Sequence, residues 1–149
     1  MNIAQLCARE EIRELIARYC VDADAGKLSE VAGLFTADGH IEFRDQKYVG
    51  PDGVLGMFTE SGQRLRRSDL GDTALRGRLL HTVSTTSISL DGADSARVHS
   101  YFTVLSGIGV DHWGRYRDEV VCEDGRWRFA ARRITVDGRT PGGVGEVLA

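Results

Sequence analysis

The sequence predicts an α+β domain, on three observations. Helical spacing of apolar residues dominates the first third of the chain, strand-like alternation dominates the remainder, and short turn signals separate the alternating runs. The 149 residues suit a single domain spanning 1–149, with loosely ordered ends expected at 1–4 and 137–149. Hydrophobic residues make up 42% and charged residues 28%, which excludes a disordered chain. A net charge of −3 supplies no positive field for nucleic acid or an anionic membrane surface. Cys7, Cys20 and Cys122 are odd in number and lack CxxC spacing, which disfavours a disulfide framework and a zinc site. No run reaches the ~18 apolar residues of a membrane span. The expectation is a reduced, cytoplasmic protein.

The elements follow in order. Ile12, Leu15, Ile16, Tyr19, Cys20 and Ala23 form one apolar helical stripe, with Glu10, Glu11, Arg13, Glu14 and Arg18 on the other side. After Gly26, the residues Leu28, Val31, Leu34 and Phe35 predict a shorter helix, closed by the turn-forming Thr36–Gly39. His40–Phe43 and Lys47–Val49 alternate as a hairpin. Pro51 suits the first turn of a helix holding Val54, Leu55, Met57 and Phe58, and residues 59–77 read as a helix tail and a mobile connection. Strands are then predicted over Leu79–Leu90, Ala96–Leu105, His112–Cys122 and Arg126–Val136.

Chemistry narrows to a few residues. His40, His81, His99 and His112 fall into no HExxH, HxH or Cys/His ligand spacing, so no metal is expected. Nucleotide-binding glycine motifs and a GxSxG elbow are absent. Tyr19, Asp22 and Asp24 end the first helix, and His81 opens a strand. On the residues alone, the favoured readings are a helix cap for Asp24, a satisfied strand histidine for His81 and a core residue with its hydroxyl at the rim for Tyr19. His112, Gly114, Tyr116 and Asp118 share one strand face that could line a pocket, whereas His99 shares a face with Arg97 and Tyr101 and is expected on the outside. His40, after a turn glycine, is expected to be exposed.

The run from "EIRELIARYCVDADAGKLSEVAGLFTADGHIEF" through "YVGPDGV" and "LLHTVSTTSISLDGADSARVHSYFTVL" to "HWGRYRDEVVCEDGRWRFAARRI" resembles the SnoaL-like branch of the nuclear-transport-factor-2-like superfamily. The resemblance covers residues 5–136. It implies a cone-shaped α+β barrel, with N-terminal helices packed into a strongly curved, mixed and mostly antiparallel sheet around a deep pocket. It also implies an Asp–His pair, matched here by Asp24 and His81, and a tyrosine acting on a substrate carbonyl, matched by Tyr19. His112, Phe43, Ser100 and Phe102 are the candidates for substrate binding. Phe43 stands where scytalone dehydratase places a tyrosine, and that enzyme's second pocket histidine has three possible counterparts here: His99, Ser100 and His112. The Asp–Arg–Asp set of limonene epoxide hydrolase cannot be traced.

What the resemblance implies is a cofactor-independent lyase or isomerase, dehydratase- or cyclase-like, acting on a hydrophobic small molecule. Two rivals come from other classes: a non-catalytic binding protein, and an assembly partner like the β subunit of ring-hydroxylating dioxygenases. Trp113, Tyr101 and Trp127 are expected on the outer sheet face, which would make the protein a homodimer or a higher homo-oligomer.

Overall fold

A computed structural model describes residues 1–75 and 77–149, the side chain of Asp72 excepted. Helix α1 (Ile3–Asp24) starts in a capping box, Asn2 accepting from the Gln5 N–H and Gln5 accepting from the Asn2 N–H, both at 2.9 Å. Its buried stripe is Ile12, Leu15, Ile16, Tyr19 and Cys20, the helical spacing read from sequence. Gly26, at φ 75°, turns the chain into α2 (Leu28–Ala32).

Strand β1 (Phe35–Phe43) begins earlier than expected. Leu34 and Phe35 leave the second helix, and Thr36–Gly39 is an irregularity inside the strand rather than a turn before it. The parallel pairing of β1 slips between Phe35 and His40. Gly39 makes this possible, because a Cβ there would lie 2.6 Å from the Phe129 carbonyl oxygen. Arg44 and Asp45, both at positive φ, turn β1 into β2 (Gln46–Val49).

Helix α3 (Gly50–Arg66) carries Pro51 in its first turn and continues past Phe58 to Arg66, the helix tail expected at the start of residues 59–77. A short α4 (Asp72–Leu75) follows, and Arg76 of the expected mobile segment lies outside the described residues. The remaining strands are β3 (Leu80–Leu90), β4 (Ser95–Ser106), β5 (Gly109–Glu123) and β6 (Arg126–Arg139). They form one six-stranded sheet in the order β2-β1-β6-β5-β4-β3, parallel only between β1 and β6. The sheet is mixed and mostly antiparallel, as expected, but it is open: β2 and β3 are its two edges.

Alternation along β4 turns Ala96, Val98, Ser100, Phe102 and Val104 inward toward the helices. One core cluster joins α1, α2 and α3 to the sheet through residues such as Ile12, Val31, Phe35, Val54 and Phe129. A second, smaller one consists of Phe102, Val104 and Tyr116, with Ile134 and Val136 against it. Trp127 belongs to the first cluster and is buried, contrary to expectation, because its position in β6 points inward with Phe129. Tyr101 and Trp113 do lie on the outside, 48% and 40% exposed. The segment after Arg139 is also not the loose end expected: it forms a short helix α5 (Gly145–Leu148), and Val144 is completely buried.

Candidate active site

Between the helices and the inward sheet face lies a cavity of about 420 Å³, within the range of small-molecule sites. Phe43, Met57, Phe58, Phe102, Ile134 and Leu148 give it an apolar wall. Larger depressions exist on the outer sheet surface, but charged residues such as Glu42, Lys47, Arg117 and Arg133 line the one of about 600 Å³. The inner cavity combines an apolar wall with convergent polar groups, the combination expected of a reacting site.

Asp24 and His81 meet at its rim. The carboxylate reaches across from the end of α1 and grips residue 81 twice: Oδ2 accepts the His81 backbone N–H at 2.9 Å, and Oδ1 lies 2.6 Å from Nδ1. Asp24 is therefore not the cap of a helix but a cross-link between α1 and the first residues of β3. In the neutral ring this contact places the proton on Nδ1 and the lone pair on Nε2.

A second pair of the same kind lies next to it. His112 lines the cavity, and its Nδ1 is 2.7 Å from Oδ1 of Asp111, a side chain with no exposed surface. Burial lowers the His112 pKa below 6.5, helped by the charges of His81 and Arg139 and opposed by Asp111. Burial pushes the Asp111 carboxyl up, yet hydrogen bonds from Ser106, His112, Gly145 and Val144 leave it lowered. Neutral His112 thus presents its second nitrogen as an acceptor too.

Two phenols lie beneath the histidines. Tyr19 and Tyr116 both line the cavity, with ring centroids 6.2 Å apart in an edge-on arrangement. Burial raises the Tyr19 pKa to about 12 and that of Tyr116 well above 10, so both remain protonated donors. Phe102 stacks on Tyr116 with centroids 4.5 Å apart. Arg132 passes under both tyrosines, completely buried and bonded twice to Asp118. Among the described residues, no group of three or more His, Cys, Asp or Glu is placed to hold a metal ion.

The SnoaL-like domain model matches residues 4–133, nearly the whole chain. The chain belongs to the SnoaL-like domain family. No curated protein matches the sequence. Solved structures do. One is Rv3472, a protein of unknown function from Mycobacterium tuberculosis, solved as a variant with one aspartate changed to asparagine. It is 26% identical, with 89% of this chain and 73% of that one covered and a TM-score of 0.74. A scytalone dehydratase candidate from Novosphingobium aromaticivorans is 22% identical over 94% of this chain and 91% of its own, with a TM-score of 0.76. The hexachlorocyclohexane dehydrochlorinase LinA-type3 from Novosphingobium barchaimii is 18% identical over 95% and 94%, with a TM-score of 0.77. At such identities the last two speak for the shared fold alone.

The fold of this SnoaL-like domain brings together most of the residues singled out from its sequence. Asp24, His81, Tyr19, His112, Phe43 and Phe102 all line the one cavity. Ser100 does not: it points inward but is completely buried away from the cavity lining, its hydroxyl without a partner among the described residues. His99 lies on the outer face, edge-on to Tyr101, and His40 is half-buried beside Glu42 rather than exposed. Sequence reasoning missed Asp111, Arg132 and Leu148. Asp111 adjoins His112 in the chain, which is a usable signal. Arg132 and Asp118 pair across the β5–β6 hairpin, and only the strand register reveals it.

Proposed function

We propose that this SnoaL-like domain is a cofactor-independent lyase or isomerase that removes a proton next to a carbonyl of a hydrophobic small molecule, with His81 as the base. The observation that carries the reading is the 2.6 Å contact between His81 Nδ1 and Asp24 at the rim of an apolar cavity. An imidazole near its neutral form accepts a proton at ordinary pH, and the carboxylate behind it stabilises the positive charge that develops. The apolar wall strengthens that interaction by excluding water.

Tyr19 and Tyr116 supply protonated hydroxyls on the same cavity, suited to the oxygen that becomes an enolate as the proton leaves. Tyr19 is the phenol expected in this role, and Tyr116 joins it as a second donor. His112, with its own lone pair held toward reaction by Asp111, is suited to receiving a substrate hydroxyl. Collapse of the enolate then expels the hydroxyl group, which leaves as water with the proton that His81 took up, or the same proton is returned from His81 to a different carbon of the conjugated system. The first outcome is dehydration and the second is double-bond migration. The residues invoked need neither a metal nor an organic cofactor for these steps.

The test is proton exchange in heavy water. Wild-type protein and His81→Ala are incubated with a panel of apolar hydroxy ketones and enones, and deuterium uptake at the carbon beside the carbonyl is read by mass spectrometry. Wild-type-catalysed exchange that disappears in His81→Ala supports the reading. Exchange that survives the substitution removes His81 as the base. Retention of a panel compound without exchange would favour a non-catalytic binding protein.

A further inference from the structure

The carboxylate of Asp111 does two things at once. On one side it holds the Nδ1 of His112 at 2.7 Å. On the other it accepts the backbone N–H groups of Val144 and Gly145, at 2.9 and 2.8 Å, and the hydroxyl of Ser106 at 2.6 Å. Its backbone carbonyl also accepts the Thr140 N–H at 2.7 Å. Thr140, Val144 and Gly145 are therefore all fastened to one aspartate, and that aspartate is the orienting partner of a cavity histidine.

The packing repeats the arrangement. A Cβ on Gly145 would lie 2.8 Å from Cβ of His112 and 3.1 Å from its Nδ1, and a Cβ on Gly143 would lie 2.6 Å from the Asp111 carboxylate. Only a segment with bare glycines at these two positions rests this close to the pair. Beyond them, Leu148 enters the cavity wall, and Arg44 from the β1–β2 turn donates to the Leu148 carbonyl at 3.0 Å. Arg139 donates toward the carbonyls of Gly145 and Ala149.

We propose that Asp111 is a positioning residue that latches residues 140–149 against the cavity and, with the same carboxylate, fixes the tautomer of His112. Seating the segment and preparing the histidine are then one event. With the segment seated, water is kept from His112 and its neutral form is favoured, facing Asp111 on its own strand, His81 on β3 and Arg139 on β6. With the segment released, the ring is hydrated, becomes more basic and loses the enforced Nδ1–H form. Proton uptake by His112 and release of the segment are thereby linked, each favouring the other. The consequence for turnover rests on the reading of the cavity as a reacting site; the latch does not.

Nitrogen NMR of histidine-labelled full-length protein tests the latch without any substrate. In the wild type, neutral His112 should give the Nδ1–H pattern and titrate below 6.5. In Asp111→Asn two effects should appear together: exchange of the Val144 and Gly145 amides accelerates about tenfold or more, and the His112 ring loses its single tautomer. His81 should keep its Nδ1–H tautomer, because its own partner Asp24 is untouched. Gly145→Ala is the second variant, since it leaves Asp111 in place and displaces the segment from the ring. There the His112 midpoint should move up, and amide exchange should rise as in Asp111→Asn. An Nε2–H ring in the wild type overturns the proposal. So does a Gly145→Ala protein in which the amides are released while His112 titrates as in the wild type, the result of a segment that is merely structural. If Asp111→Asn does not fold, Gly145→Ala decides alone.

Discussion

Arg132 and Asp118 meet through two hydrogen bonds of 2.8 Å at a place where neither side chain has any exposed surface. Burial works against a charged guanidinium, but Asp118 beside it keeps the proton in place. The guanidinium packs against three rings, its carbon 3.9 Å from the Tyr116 centroid, 4.2 Å from that of Tyr19 and 4.4 Å from that of Phe129. One of its nitrogens, Nη1, has no partner among the described residues. The guanidinium thus packs against both cavity phenols while Asp118 balances its charge, and the pair connects the stability of the domain to the geometry of its site.

A buried ion pair contributes little net stability, but breaking one half of it is costly. Asp118→Ala should lower unfolding free energy by about 3 to 5 kcal/mol, because an uncompensated guanidinium remains in the core. The double variant Asp118→Leu with Arg132→Met should lose clearly less. Urea unfolding followed by circular dichroism measures both. Equal losses in the two proteins would mean that packing around Arg132, not its charge, dominates.

Tyr19 makes the alkaline limb of stability predictable. Its folded pKa of about 12 exceeds the ordinary 10, so the folded state holds the phenolic proton more tightly than the unfolded chain does. The resulting stability is fully present below pH 10 and is lost as pH rises through about 12. Two pKa units correspond to on the order of 2 to 3 kcal/mol. Tyr19→Phe should therefore flatten the fall in urea midpoint above pH 10, while Tyr116 continues to contribute in the same direction.

Kinetics on any compound that exchanges deuterium should divide the roles of the dyad. His81→Ala should reduce the rate by about 10² to 10⁴-fold with little change in substrate affinity. Asp24→Asn should also be slow, because an amide cannot stabilise the imidazolium and permits the other tautomer. Chelators should leave the wild-type rate unchanged. An Asp24→Asn enzyme as fast as the wild type would reduce the 2.6 Å contact to a fastening between α1 and β3.

We propose that the outer sheet face is a contact between two copies of the chain, since Tyr101 and Trp113 are both well exposed on adjacent strands. Multi-angle light scattering at micromolar concentration should give a mass near twice 16.4 kDa, and Tyr101→Lys with Trp113→Lys should return it to the monomer value. A monomeric wild type would refute the contact.

Helical spacing on α1, alternation on β4 and the hairpin between β5 and β6 were legible in the sequence because each is a local pattern with a fixed period. Asp24 and His81 were legible only by resemblance. Read alone, an aspartate before a glycine is a cap as readily as a partner of a histidine, and nothing in the 57-residue separation says otherwise. Residues 36–39 carry turn residues yet lie in a strand, because a long-range close approach of Gly39 to the Phe129 carbonyl outweighs local turn preference. Trp127 looked like a surface aromatic until the register of β6 turned it inward. The tail, rich in glycine, looked loose for the very feature that lets it pack: bare backbone at Gly143 and Gly145 fits against Asp111 and His112. The sequence by itself determined α1 and the four long strands β3 to β6, a matter of neighbours along the chain. Which charges share a buried space was decided only by the tertiary structure, since those partners lie far apart along the chain or across a strand register that no local pattern encodes.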